Sequence, residues 1–223
     1  MNKNQISELF YKEKNYSKIK ELLNDCNDSW SFNLLAKIAL KERNTKTAYY
    51  YFEKASNLSG CAYCKFLDGN LSDAQILLTL INDYSEYSKW LFCLINFLNN
   101  NFNNTSSYFQ IRNFYEQDLA ALFFFGQKDI IDKIVDLNGY FERYNKEVYK
   151  YTGRVFYNNN LIDEALKFLK LSLDIVYKDP EVHYLLGEIY EKLGKTDKAR
   201  EEYQKAVKVN GFYFPASKKL MIV

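Results

Sequence analysis

Two stretches of this 223-residue chain repeat each other at a spacing of 34 residues. TGRVFYNNNLIDEALKFLKLS begins at Thr152, and LGEIYEKLGKTDKAREEYQKA begins at Leu186. In register, Gly153 faces Gly187, Phe156 faces Tyr190, Ala165 faces Ala199, Leu169 faces Tyr203 and Ser172 faces Ala206. A period of this length is one helix–turn–helix unit. Such a unit cannot bury its apolar face alone and must stack on its neighbours. The small residues (Gly153/Gly187, Ala165/Ala199) let two antiparallel backbones approach closely. Phe156/Tyr190 and Leu169/Tyr203 fill the space beside them, and Ser172/Ala206 admits the next hairpin. NNNLID and LGKTD are tight polar turns. Asp179-Pro180 opens a new helix, with proline where a missing N–H costs nothing.

The period and its small positions resemble the tetratricopeptide repeat (TPR). That resemblance implies an all-α fold, a TPR-like α-α superhelix (solenoid) of about six helical hairpins. A third copy lies in FNLLAKIALKERNTKTAYYYFEKAS (32–56), with Ala36, Ala48, Phe52 and Ala55 in the small and bulky places. The segment 6–26 reads as a hairpin with a weaker code, and 61–81 as two short helices around Asp68-Gly69-Asn70. A helix at 84–98, an asparagine-rich break at 99–107 and a hairpin at 114–137 around Gly126-Gln127 complete the chain. Two glycosylation sequons, at Asn103 and Asn104, fall in that break and read as an exposed loop. The expected organisation is one helical repeat domain over 1–223. It comprises N-terminal hairpins (5–82), an irregular helical middle (84–140), two regular repeats (146–213) and a closing helix (214–223).

Little in the chain points to catalysis. The single histidine, His183, stands where the repeat places a large packing residue, and without a second histidine the common base and metal architectures lose a member. Cys61 and Cys64 form a Cys-x2-Cys pair, but Cys26 and Cys93 are isolated, so a four-ligand zinc site is incomplete. Cysteines as small residues at a tight helix junction fit better. No glycine-rich phosphate loop occurs. Neighbouring carboxylates such as Glu201-Glu202 read as solvated. No enzyme, cofactor or metal is expected.

Lys plus Arg number 30 against 28 for Asp plus Glu, a balance that gives no electrostatic reason for a nucleic-acid or anionic-membrane partner. Lys192, Lys195 and Lys198 alternate with acids as on a hydrated helix surface. The polar N-terminus lacks a signal peptide, and the longest apolar runs (90–98 and 119–125) are too short to span a bilayer. An intracellular, soluble protein, nuclear or cytoplasmic, with reduced cysteines is expected. The abundance of Asn, Tyr, Lys and Phe reads as coding bias, and with 20 Tyr and 17 Phe aromatics alone carry no functional signal.

The TPR resemblance implies that the first helix of each repeat lines a groove. Its groove positions map to Glu147, Lys150, Arg154 and Tyr157, then to Glu181, Tyr184, Glu188 and Glu191. Opposite signs in successive repeats also allow these groups to neutralise each other. TPR co-chaperones hold a heat-shock protein's C-terminal carboxylate with basic residues and two asparagines. Lys150 suits that clamp, but Arg154 and Leu185 occupy the asparagine places, so the clamp is not expected.

A narrower resemblance joins FNLLAKIALKERNTKTAYYYFEKA and CAYCKFLDGNLSDAQILL to EEYQKAVKVNGFYFPASKKL. Their order is similar to that in the N-terminal TPR region of anaphase-promoting-complex scaffold subunits, although Gly211 replaces the expected proline. The implied function is a non-catalytic scaffold of a cell-cycle ubiquitin ligase that homodimerises through that region. The alternative is a general TPR adaptor, co-chaperone-like, that holds a peptide. Either way the expected partners are proteins or peptides.

Overall fold

The structure, a computed structural model, describes residues 3–103, 106–176 and 178–221. Asn104, one of the two sequon residues, and the last two residues of the expected closing segment lie outside them. Among the described residues there is no strand, and the chain divides into two compact units, residues 1–99 and 100–223.

The first unit holds three hairpins and a single helix. Helix α1 (Lys3–Glu8) runs on through a π-helical turn (Leu9–Glu13) and pairs with α2 (Tyr16–Leu23). Helix α3 (Ser29–Lys41) pairs with α4 (Thr45–Lys54), α5 (Leu58–Leu67) pairs with α6 (Leu71–Thr79), and α7 (Glu86–Leu98) follows. One local device starts α2, α4, α5 and α6. Lys14, Arg43, Ser56 and Gly69 adopt positive φ (53°, 59°, 55° and 81°), and each is followed by an asparagine. Asn15, Asn44, Asn57 and Asn70 then accept hydrogen bonds from the amides of Lys18, Thr47, Gly60 and Asp73. The left-handed residue reverses the chain, and the Asn side chain satisfies an orphan helix donor. Four of the asparagines therefore have a structural use that composition alone does not show.

Beneath these turns the core is built as the small-residue code requires. Ala36, Ala39, Ala48, Phe52, Cys61 and Cys64 form one buried cluster. Phe52 also lies against Gly60, so α5 approaches α4 on a glycine that the repeat code does not mark. A second cluster joins Ile6, Phe10, Ile19 and Leu23 to Leu34, Leu35 and Ile38.

In the second unit, α8 (Tyr108–Gln110), a π-helical turn (Ile111–Tyr115) and α9 (Glu116–Phe125) form one continuous run, opened by a capping box between Ser107 and Gln110. Gly126, at φ 73°, turns the chain into α10 (Lys128–Asp136). The short α11 (Asn138–Phe141) leads to α12 (Val148–Asn158), which pairs with α13 (Ile162–Ile175). Helix α14 (Pro180–Lys192) pairs with α15 (Thr196–Val209), and α16 (Phe214–Leu220) closes over α15. Asp179 caps α14 by accepting from the amides of Glu181 and Val182, with Pro180 as its first residue. Asn160 and Gly194, at matching places in the two repeats, both take positive φ.

The part of the irregular middle that lies in the second unit is pinned by a buried polar triad. The Tyr115 hydroxyl donates to Asn138 Oδ1 at 2.5 Å and lies 2.8 Å from Thr152 Oγ1, to which the Asn138 amide donates at 2.9 Å. Burial of these groups is tolerated because each has a partner.

The paired repeats close as expected. A methyl group on Gly153 would meet the Leu169 side chain at 2.7 Å and its backbone nitrogen at 3.2 Å, and one on Gly187 would enter the Tyr203 ring. Gly153→Ala should therefore lower unfolding free energy by about 1–3 kcal/mol, through overpacking. Ser56→Gly, which relieves a left-handed residue without touching the core, should raise it by about 1 kcal/mol. Urea denaturation followed by circular dichroism measures both, and a neutral Gly153→Ala would contradict the close-packing account.

Candidate functional site

Glu147 precedes the first turn of α12, and Lys150, Arg154 and Tyr157 follow at intervals of three and four residues; Glu181, Tyr184, Glu188 and Glu191 repeat that spacing along α14. Such spacing places each set on one helical face. The structure brings the two sets together within the second unit and links them to each other.

Lys150 is buried, and its ammonium lies 2.7 Å from Glu147, 2.9 Å from Asp179 and 3.4 Å from Glu181. Glu147 also accepts from the Tyr151 hydroxyl at 2.8 Å. Arg154 forks across two helices. Its guanidinium takes both oxygens of Glu116 on α9, with Nε–Oε1 at 2.6 Å, and pairs with Glu181 on α14. Farther along α14, Glu188 accepts from the Tyr184 hydroxyl at 2.8 Å. Glu191 accepts from the Tyr203 hydroxyl and from Lys219 on α16, each at 2.7 Å. The Lys192 ammonium sits 4.2 Å from the centre of the Tyr157 ring, a cation–π contact.

The two cations are thus spent inside the protein, which is the mutual neutralisation that opposite signs in successive repeats allow. Arg154 nevertheless stays about as exposed as Glu181, at 28% against 33%, so the face presents paired charges together with tyrosine. Burial alone would lower the Lys150 pKa, but the hydrogen bonds and charges of Glu147 and Asp179 outweigh it and raise the value. Burial alone would raise Glu147, yet hydrogen bonds from Lys150 and Tyr151, with the charges of Lys150 and Arg112, hold it below the usual carboxylate value. Burial and the neighbouring Glu188 push the Tyr157 hydroxyl up to about 12.

Four members of this network are not legible in the sequence, Tyr151 among them. Asp179 was legible only as a repeat boundary, Glu116 lies where no period assigns it a place, and Lys219 lies on the closing helix. One other expectation needs correction. Glu202 is not solvated: it is largely buried, bonded to His183 Nδ1 at 2.7 Å and to Lys205 at 2.7 Å. His183 is therefore more than filler, since it ties α14 to α15. Lys192 stays exposed while its ammonium rests on the Tyr157 ring.

The cysteines are packing residues. Cys61 and Cys64 lie inside α5, where burial pushes their thiols up to about 11 and about 12. Such thiols carry almost no thiolate near neutrality, the form that nucleophilic attack and metal binding need. Among the described residues no three His, Cys, Asp or Glu side chains converge as a metal site, and no helix is long and apolar enough to cross a membrane.

Comparison with known proteins agrees with the repeat. Residues 180–212, which span α14 and α15, match the tetratricopeptide repeat family. No curated protein matches the chain. Among solved structures, the chain is similar to YrrB, a TPR protein described as having an unusual peptide-binding site. The identity is 15%, with 92% of this chain and 98% of that one covered, and the TM-score is 0.39. It is similar to the Cut9-Hcn1 hetero-tetramer of the APC/C at 14% identity and a TM-score of 0.42, covering 97% of this chain but 47% of that one. A third likeness is to MamA, at 14% identity, 82% and 92% coverage and a TM-score of 0.35.

Removing Lys150 leaves the buried Asp179 carboxylate without its cation, so Lys150→Met should cost about 3–5 kcal/mol of stability. Acid should act on this network and on the separate Glu202–His183 contact. Glu147 and Glu202 titrate below the usual 4.5 in the folded protein, so their contribution is complete above that value and fades as pH falls through the lowered ones. Stability measured by urea melts from pH 7 to 3 should therefore fall below about pH 4.5, less steeply in Lys150→Met. An unchanged acid limb would mean that Lys150 does not hold Glu147 charged.

Proposed function

We propose that this chain is a non-catalytic scaffold that binds other proteins, and that the face of α12 and α14 is one of its contact surfaces. The observation that carries this reading is the ion network. Lys150 and Arg154, clamped by Glu116, Glu147, Asp179 and Glu181, hold successive first helices in fixed relation. A face ordered before binding loses less entropy when a partner arrives. Glu147, Lys150, Arg154, Tyr157, Glu181, Tyr184, Glu188 and Glu191 are proposed as its groove residues. With both cations already neutralised, the face does not suit a carboxylate-tail ligand, in line with the missing clamp asparagines.

The narrower reading is a homodimeric TPR scaffold subunit of a ubiquitin ligase of the anaphase-promoting type. The order of the segments at 32–55, 61–78 and 201–220 supports it. The rival is a monomeric peptide-binding adaptor, which the fixed face of paired charges and tyrosine supports.

Multi-angle light scattering over a hundredfold concentration range separates them. The scaffold reading expects a dimer at every concentration, whereas a monomer throughout would favour the adaptor. A redox or metal role for Cys61 and Cys64 makes a different forecast. On the packing account, a thiol reagent should modify those two cysteines only after denaturation, while rapid labelling of the native protein would revive a chemical role.

A further inference from the structure

The first unit contains a recess of about 520 Å³ that the groove positions do not account for. In the register of the repeat Ala36 takes the place of Gly153, so the groove positions of α3 are Trp30, Asn33, Lys37 and Leu40. The recess instead uses Phe32 and Leu35 of α3, with the end of α2 and the outer face of α4. It is therefore a separate surface.

Its chemistry is of two kinds. The floor and one wall are apolar: Leu23 and Leu35 are buried, and the rings of Phe32 and Tyr51 stack with centroids 6.2 Å apart. The rim carries donors, namely the ammonium groups of Lys20 and Lys54 and the amides of Asn24 and Asn27. No carboxylate lines the recess. Lys20 is already held by both oxygens of Glu42, at 2.6 Å each. Lys54 differs: it makes no ion pair among the described residues, and its ammonium rests 5.6 Å from the centre of the exposed Tyr50 ring. A cation without an ion pair beside a polar-rimmed recess with an apolar floor favours a ligand that brings both an apolar group and a negative charge. The volume accommodates a bulky side chain with its flanking residues rather than a whole helix.

We propose that this recess docks an acidic segment of a partner protein, placing one bulky apolar side chain against Phe32, Tyr51, Leu23 and Leu35 and an adjacent carboxylate on Lys54. The site goes beyond the groove of the second unit and stands independently of it. A chain with both surfaces can hold two partner segments at once, which is what a scaffold requires.

The probe is the capped, fluorescein-labelled peptide Asp-Glu-Phe-Asp, titrated against the full chain by anisotropy, with Lys-Lys-Phe-Lys and Asp-Glu-Ala-Asp as controls. Cys26, half-buried in the recess wall, supplies a second readout: its alkylation by iodoacetamide, located by mass spectrometry. The expected results are saturable binding of the acidic phenylalanine peptide and slower alkylation of Cys26 in its presence. Binding should be weaker by about tenfold or more for the alanine peptide and for Lys54→Glu. Lys54 is exposed, so the variant should keep the wild-type circular dichroism. Should it fail to fold, Asn27→Asp adds a carboxylate to the same rim and should weaken binding likewise. Equal binding of the lysine peptide, unaltered affinity in the folded variant, or no binding at millimolar peptide would each overturn the proposal. Those results would leave the reading of the second unit standing, just as a monomer in light scattering would leave this recess in place.

Discussion

A helical hairpin of two or three turns has too little apolar surface to fold alone, so each must be pressed closely against its partner helix and the next hairpin. Close approach depends on missing side-chain atoms. Gly153 receives Leu169, Gly187 receives Tyr203, and Gly60 receives Phe52, with no room left for a methyl group at any of the three. Ala36, Ala48, Ala165, Ala199 and Ala206 are wholly or almost wholly buried for the same reason. The rest of each unit follows from these contacts: the turns bring the helices round, and the large side chains fill the remaining space.

Electrostatics adds order to this packing. Along α12 and α14 the chain places cations in one repeat and anions in the next, and the anions are close enough to take up the cations. A buried ion cluster is a poor source of net stability, because desolvation offsets much of the attraction, but it strongly penalises any displacement of one helix against another. Its main effect is therefore to fix the geometry of a surface. The recess of the first unit shows the converse arrangement, in which the cation of Lys54 is left available at the edge of a hollow with an apolar floor.

Much of the fold was legible because the code lies in residue size and spacing, which a sequence displays directly. Gly153, Phe156, Ala165, Leu169 and Ser172 are buried, as are Gly187, Ala199, Tyr203 and Ala206, and residues 180–212 match the repeat family on their own. The candidate groove was half legible. Its eight residues could be placed on two helix faces from register, but not the partners that neutralise them. Glu116 lies in a stretch without period, and Lys219 meets Glu191 only because α16 folds back over α15. Glu202 escaped for a similar reason, since solvation is the default for a charged residue until a buried histidine is found beside it. The asparagines before α2, α4, α5 and α6 are Asn15, Asn44, Asn57 and Asn70, the last three at a regular spacing of thirteen residues. Read as composition they said nothing, whereas read as positions they mark helix starts.

By itself, then, the sequence determined that this chain forms stacked helical hairpins, where most of them begin and end, and which small residues make the contacts. These follow from local rules: period, glycine and proline placement, and capping chemistry. Only the tertiary structure decided which charges are spent and which remain, because pairing depends on distances between residues 22 to 38 positions apart. The same holds for the recess at Lys54. It exists where three helices fail to fill the space between them, and a gap in packing leaves no mark on the order of the letters.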